Sequence, residues 1–417
     1  YKIAIILLFL QWLIGRDFKQ KFIKLKQNVF AIGLIGFYFL YFLSFFWSDN
    51  GVEAISDLIL KLPILILPLV ILSQKSLSSN HLNQLFVSFA FASLALNLYS
   101  FFEAYLQYIE TNNINRLYYS NLPVNMHTSA QAMFTCFSIV IFVYTLSKDS
   151  IFNNKLLIYF AVSIQMMFIF LLSSRMQILI MAVIIPTYLI AFYYNKQKTI
   201  IGILYTLLIF VFSYLIITTT PSTLNARYSK TVSQINSLQI DNGNYDARIF
   251  IWKEALGLIK KNWLFGTGAG DAKDILVARY LQFSLDNPIT ESNIDTTIID
   301  LQNKATSHNL FSPNTKKLLE KRNRHYQKAY QRKYNFHNQY IQTFGTIGIF
   351  GFLVLFLLMV YPLFLSIKDK NYLAISFLFV VGASCLTESI LERQAGVAFY
   401  ALFYVLIIGR INMSRPS

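Results

Sequence analysis

Four short motifs place histidine, arginine and carboxylate side chains at the ends of apolar runs, where a catalytic centre at a membrane surface has to be built. In YNFHNQYIQTFGTIGIFG, Tyr334 to Gly351, a polar segment carrying His337 and Asn338 leads directly into an apolar helix with Gly345, Gly348 and Gly351 every third residue. An imidazole titrates near neutral pH and takes a proton from a hydroxyl when a neighbour such as Asn338 holds its tautomer. Small residues at that spacing let a helix pack closely against another element, so the histidine is expected on a rigid mount; the plain alternative is a polar helix cap. In SSRMQ, Ser173 to Gln177, Arg175 sits in a turn too tight to reach far into water, where a guanidinium is costly and is either turned inward for function or snorkels as an anchor. Arg248 precedes Trp252 by one helical turn, and its planar donor fork suits phosphate oxygens, unless it merely pairs with Asp246 or Glu254. LTESILERQAG, Leu386 to Gly396, adds Glu388 and Arg393 at another helix end, either as supporting groups or as a pair for each other. His127, in NMHTSAQAM, begins a further helix and either lines the same cavity or caps it.

Other motifs carry less. GTGAGD, Gly266 to Asp271, imitates a nucleotide loop, but it follows no strand, lacks the lysine of a phosphate loop and has its third glycine misplaced, so it is expected to be a tight turn. His308, in SHN, is followed by no apolar helix, His81 falls on the opposite side of the chain's topology, and His325 lies in a basic helix. Cys136 and Cys385 each sit inside an apolar run, with neither a disulfide framework nor zinc-ligand spacing. No cofactor and no metal site are expected.

The elements that position these residues are membrane helices. With 55% hydrophobic residues gathered in blocks rather than at amphipathic spacing, the chain reads as an all-α polytopic transmembrane bundle and not as a barrel of short alternating strands. Eleven spans are expected, over 1–14, 29–47, 57–72, 84–106, 127–147, 155–173, 176–194, 199–218, 339–366, 372–388 and 395–411. The first apolar run starts without Met, and a preceding helix is expected to bring the full count to twelve. Every second connector is basic, through Arg16, Lys19, Lys21, Lys24 and Lys26, then Lys75, Lys148 with Lys155, Lys196 with Lys198, and Lys368 with Lys370. By the positive-inside rule these are cytoplasmic, which sets the Ser173 turn, the Glu388 connector and the long segment after 218 on the external face. Three regions follow: N-terminal membrane helices over 1–218, a large external loop with amphipathic helices over 219–338, and C-terminal membrane helices over 339–417. The formal charge of +16 is carried largely by short loops, so topology and contact with membrane lipids explain it and nucleic acid does not.

Taken together and in order, SSRMQ, R-x-x-x-W followed by NWLFGTGAGD, HNQYIQTFGTIGIFG and TESILERQAG resemble the O-antigen ligase and polymerase family of bacterial membrane glycosyltransferases, over most of 127–411. The resemblance implies a GT-C-like bundle in the bacterial inner membrane with its active site facing the periplasm. It implies a polyprenyl (undecaprenyl) pyrophosphate-linked glycan donor, and a hydroxyl acceptor on a lipid A core, another glycan or a protein. Carried over by motif, His337 is the general base and Arg175 and Arg248 hold the pyrophosphate. The sequence departs from the family where Thr128 follows His127, a place often held by proline, and in the polar insertion before the basic helix; both bear on which substrate is used. A pyrophosphate is already a good leaving group, so arginines suffice on that side, and one displacement aided by a histidine base gives an inverting, metal-independent transfer. Neither a carboxylate pair nor an Asp-rich motif calls for a covalent intermediate or for magnesium. The expected activity is that of a ligase in lipopolysaccharide or surface polysaccharide synthesis. The alternatives are a polymerase, a protein O-oligosaccharyltransferase or, in a different class, a lipid-linked glycan flippase with charges at mid-membrane, or inverted repeats with broken helices.

Overall fold

The computed structural model describes residues 2–75, 77–122, 126–147, 154–195, 247–286 and 326–411. Among these the regular structure is helical and no strand occurs. In the first half run α1 (Lys2–Ile14), α2 (Phe18–Gln27), α3 (Val29–Ser44), α4 (Gly51–Leu72), α5 (Ser79–Thr111), α6 (Thr128–Ser147), α7 (Lys155–Leu171) and α8 (Arg175–Asn195). In the second come α9 (Ala247–Lys261), α10 (Ala272–Asp286), α11 (Gln339–Lys368), α12 (Tyr372–Thr387) and α13 (Gln394–Phe403). Five stretches, Val29–Trp47, α4, α5, α6 and α11, are long and apolar enough to cross a membrane, and α1, α7, α8, α12 and α13 supply shorter apolar helices. Every expected span within the described residues therefore coincides with an apolar helix. The span at 199–218, His308, His325, Asp246 and most of the basic helix fall outside the described residues.

Helix ends differ from expectation where a polar cap overrides hydropathy. α4 begins at Gly51, so Glu53 and Asp57 ride on its first two turns instead of lying in a connector. The reason is distant in sequence: the buried Asp271 carboxylate accepts from the N–H groups of Asp49 and Asn50, both at 2.8 Å, and so fixes the backbone entering the helix. α5 is extended at its start by Ser78, whose hydroxyl accepts from the His81 N–H at 3.3 Å, and is stopped by Asn112 at a left-handed φ of 48°. α2 was not anticipated in the basic loop. There the Lys21 ammonium donates to the carbonyls of Trp12 and Gly15, each at 2.6 Å, closing the C-terminal end of α1 with a cation where the helix dipole favours one.

The chain divides into two compact units. The first comprises Tyr1–Phe39, Ile59–Tyr228 and Val354–Ser417. Its α5, α6 and α7 are joined by amides and hydroxyls that the apolar surroundings leave no water to satisfy. Asn97 donates to Thr135 at 2.9 Å and to Gln165, Gln131 donates to Asn97 at 2.9 Å, and Gln165 donates to Ser138 at 2.9 Å. All five of these side chains are fully buried. Such bonds fix which helix faces meet where apolar surface alone does not discriminate. α8 and α12 run antiparallel: Gln177 donates to the Ser384 hydroxyl at 2.6 Å at one end, and the rings of Tyr188 and Tyr372 meet 6.1 Å apart at the other.

The second unit comprises Leu40–Leu58 and Ser229–Leu353. Its core gathers Phe250, Ile251, Ala255 and Leu258 of α9, Leu276 and Tyr280 of α10, and Tyr326, Ala329 and Phe336 of the segment leading to α11. Glu254 accepts from Arg279 at 3.1 Å and from the Tyr326 hydroxyl at 3.1 Å. Burial, then the Glu254 carboxylate and Tyr326, push the Tyr280 phenol up, so it stays neutral inside this core.

The glycines of α11 do something other than line a smooth helix face. The helix breaks at Ile347 and Gly348, the latter at φ 70° and ψ −165°, a conformation that a Cβ forbids. The turn after α9 fills the break. The N–H groups of Thr267 and Gly268 donate to the carbonyls of Gly345 and Thr346, both at 2.9 Å, and the Ile349 N–H donates to the Trp263 carbonyl at 2.9 Å. GTGAGD is thus a tight turn, as expected, and it also satisfies backbone groups that the broken helix would leave open. The same turn reaches the start of α4, with Gly270 donating to the Ser48 hydroxyl at 3.1 Å beside the Asp271 contacts.

Candidate functional site

His337 is held from both sides. Phe336 is fully buried in the core of the second unit and its carbonyl accepts from the Trp252 indole at 3.0 Å. Asn338 is buried at the head of α11, where its side-chain oxygen accepts from the Ile341 N–H at 3.0 Å and its carbonyl accepts from the Gln342 N–H at 2.9 Å. Asn338 is therefore the helix cap, and His337 is not. Between these two buried neighbours His337 is half-buried, with φ 47° and its backbone N–H donating to the Asn335 side chain at 3.2 Å. A left-handed backbone is uncommon for a residue with a side chain, although histidine tolerates it better than most, and such outliers gather at functional sites. The imidazole meets the Tyr334 ring edge to face, centroids 5.4 Å apart. Replacing Asn338 by Ala is expected to lower stability by about 1 kcal/mol, read as a lower unfolding temperature, while Asn338→Ser keeps the cap and most of the stability.

Arg248 lies in the first turn of α9, half-buried, four residues before Trp252 and so on the same helix face. Because the Trp252 indole reaches the carbonyl next to His337, the second unit brings Arg248 and His337 to one neighbourhood. Glu254, the alternative partner for Arg248, is engaged by Arg279 and Tyr326.

In the first unit Arg175 opens α8, half-buried, after a turn in which Ser173 adopts φ 48°. Neither α8 nor α9 has an acidic residue in its first turn. Each arginine therefore places its charge at the positive end of a helix dipole. Gln177, two residues on, ties this end of α8 to Ser384, one turn before Glu388. Glu388 is half-buried as the residue that ends α12, and Arg393 is exposed at the start of α13, its carbonyl accepting from the Val397 N–H at 3.0 Å. His127 caps α6: its ring Nδ1 accepts from the Ser129 N–H at 3.4 Å and its carbonyl from Ala130 at 3.0 Å.

An ionic pair at this end escaped the sequence reading. Lys61, in the middle of the apolar helix α4, is fully buried, and its ammonium donates to Glu392 at 3.2 Å. The signal was present as a single lysine near the middle of a membrane helix, where a charge is expensive and marks function by default. Among the described residues no cluster of three or more His, Cys, Asp or Glu side chains forms a metal-ligand set.

Comparison with known families agrees with the first two of the four motifs. Residues 158–301, which include Arg175 and Arg248, match a family model described as O-antigen ligase. No curated protein matches the chain.

Proposed function

We propose, for a chain whose residues 158–301 match the O-antigen ligase family, that it transfers a glycan from a polyprenyl pyrophosphate to an acceptor hydroxyl at the outer face of the bacterial inner membrane. The family places it among ligase- and polymerase-type enzymes of surface polysaccharide synthesis and among multi-pass membrane proteins. The observation that carries the finer reading is His337: a left-handed histidine pinned between two buried residues, with Arg248 one helical turn from the indole that pins it.

In this reading His337 accepts the proton of the acceptor hydroxyl as its oxygen attacks the anomeric carbon. The bond from that carbon to the pyrophosphate oxygen breaks, and the leaving polyprenyl pyrophosphate keeps the electron pair. Arg248 and Arg175 stabilise the charge that grows on the phosphate oxygens, which is the larger electrostatic demand of the step. A single displacement inverts the anomeric configuration and needs no metal ion.

A flippase would draw on a broken membrane helix and a buried charge, and α11 and Lys61 supply one of each. The break, however, is filled by backbone hydrogen bonds from the 263–268 turn, which leaves it poorly suited to bind an ion or a substrate. The test is to incubate the purified protein with its cognate lipid-linked glycan and separate acceptors. One added glycan identifies a ligase and a ladder identifies a polymerase. A product with retained configuration, or transfer lost in chelator and restored by magnesium, overturns the mechanism, and no transfer to any acceptor overturns the activity.

A further inference from the structure

The Lys61–Glu392 pair has an asymmetry that a purely structural contact does not need. The lysine side chain has 0% of its surface exposed, whereas Glu392 keeps 19%, so the carboxylate reaches water and the ammonium does not. Replacing such a pair with apolar side chains is commonly neutral or stabilising, so helix packing alone gives little reason to place a charge in α4.

Its location supplies a reason. Glu392 closes the short helical turn Ile390–Glu392, in the connector that leaves α12 after Ser384. Ser384 is the residue bound by Gln177, two positions from Arg175. Gln177 and Lys61 therefore bind Ser384 and Glu392, before and after the end of α12 in the first unit, and Arg175 lies two residues from the first of these contacts. A buried ammonium and a guanidinium at a helix N-terminus share a preference for the same kind of ligand, an anion with several oxygens.

We propose that Lys61 is a third cationic group for the phosphate end of a lipid-borne donor, with Glu392 holding its ammonium until a phosphate oxygen takes the place of the carboxylate. The proposal rests on the donor class put forward under Proposed function and assigns to that donor a residue that lies outside the four motifs. Glu392 has the partial exposure needed to turn to water when displaced. As a compact charge the Lys61 ammonium suits a single phosphate oxygen, complementing the planar fork of Arg175.

The experiment measures binding of farnesyl pyrophosphate to the purified full chain in detergent, with inorganic pyrophosphate as a second probe and the unfolding temperature recorded for each variant. Lys61→Met is expected to weaken farnesyl pyrophosphate binding at least tenfold, and Glu392→Gln to tighten it severalfold, because the competing carboxylate is gone. Opposite signs for the two variants support the proposal. Equal binding in Lys61→Met and the parent protein overturns it, as does weakening in both variants, which is what a structural pair gives. Should Lys61→Met fail to fold, Glu392→Gln decides alone, and anything other than tightening overturns the assignment. Inorganic pyrophosphate binding as tightly as the lipid overturns the lipid-borne source. If the parent protein binds neither probe, the donor class itself is wrong; if the parent binds and only the Lys61 outcome fails, the donor class survives.

Discussion

His337→Asn is expected to lower glycan transfer by about 10² to 10⁴-fold, the usual contribution of a positioned base, while donor affinity and the unfolding temperature stay close to those of the parent protein. Asparagine is the informative replacement because it accepts a left-handed backbone, so the φ of 47° survives without the imidazole. His337→Ala removes the same base but adds strain of about 1 to 2 kcal/mol at that φ, and its loss of activity would mix two causes. The loss should appear in kcat rather than in the donor KM, since a base acts on the acceptor proton in the transition state and not on the bound pyrophosphate. Arg248→Gln is the complementary control, with its defect expected first in donor binding. Transfer that persists in His337→Asn but disappears in His127→Asn would move the base to α6 and end the present reading.

The membrane helices were legible in the sequence because an apolar run needs no distant partner to declare itself. Their ends were less so, because polar caps extend a helix beyond its apolar run. Some causes are local, as at Ser78, which starts α5 earlier than hydropathy alone. Others are distant: α4 begins early because Asp271, more than two hundred positions away, accepts from its entering backbone. The candidate site residues followed the same division. Arg175, Arg248 and His337 each announced themselves through a local anomaly, a charge or a titratable ring beside an apolar run. Asn338 was singled out as a supporting group, and the structure makes it the helix cap; which of two adjacent polar residues caps a helix depends on the backbone of both, and residue type does not report the positive φ of His337. Lys61 was hidden because twenty-one other residues of α4 outweigh it in any average, and because Glu392 lies 331 positions away. The glycines of α11 were noticed for a sound reason, close approach, but spacing cannot distinguish a neighbouring helix from a loop that enters a break.

That break sets the second large effect. Gly348→Ala is expected to lower stability by about 3 kcal/mol or more, seen as a sharply reduced unfolding temperature or a loss of monodisperse protein in detergent. Two causes add. At φ 70° and ψ −165° a side chain is strained by about 1 to 3 kcal/mol wherever it sits. Here its Cβ would also overlap the Leu264 carbonyl and the Phe265 nitrogen, pushing away the turn whose hydrogen bonds close the break, each worth about 1 kcal/mol. Gly345→Ala should be milder, since its Cβ would meet the Phe336 ring at 2.9 Å and a helical backbone asks for no unusual φ. That contact nevertheless lies on the residue before His337, so Gly345→Ala should depress turnover more than stability. Gly36→Ala is the control: its Cβ would meet nothing within 4 Å, and alanine favours a helix, so stability should hold or rise by about 0.5 to 1 kcal/mol. A Gly348→Ala protein that unfolds at the parent temperature would show that the turn can leave the break at little cost. The rigid mount inferred for His337 would then have to rest on Trp252 and the Phe336 core alone.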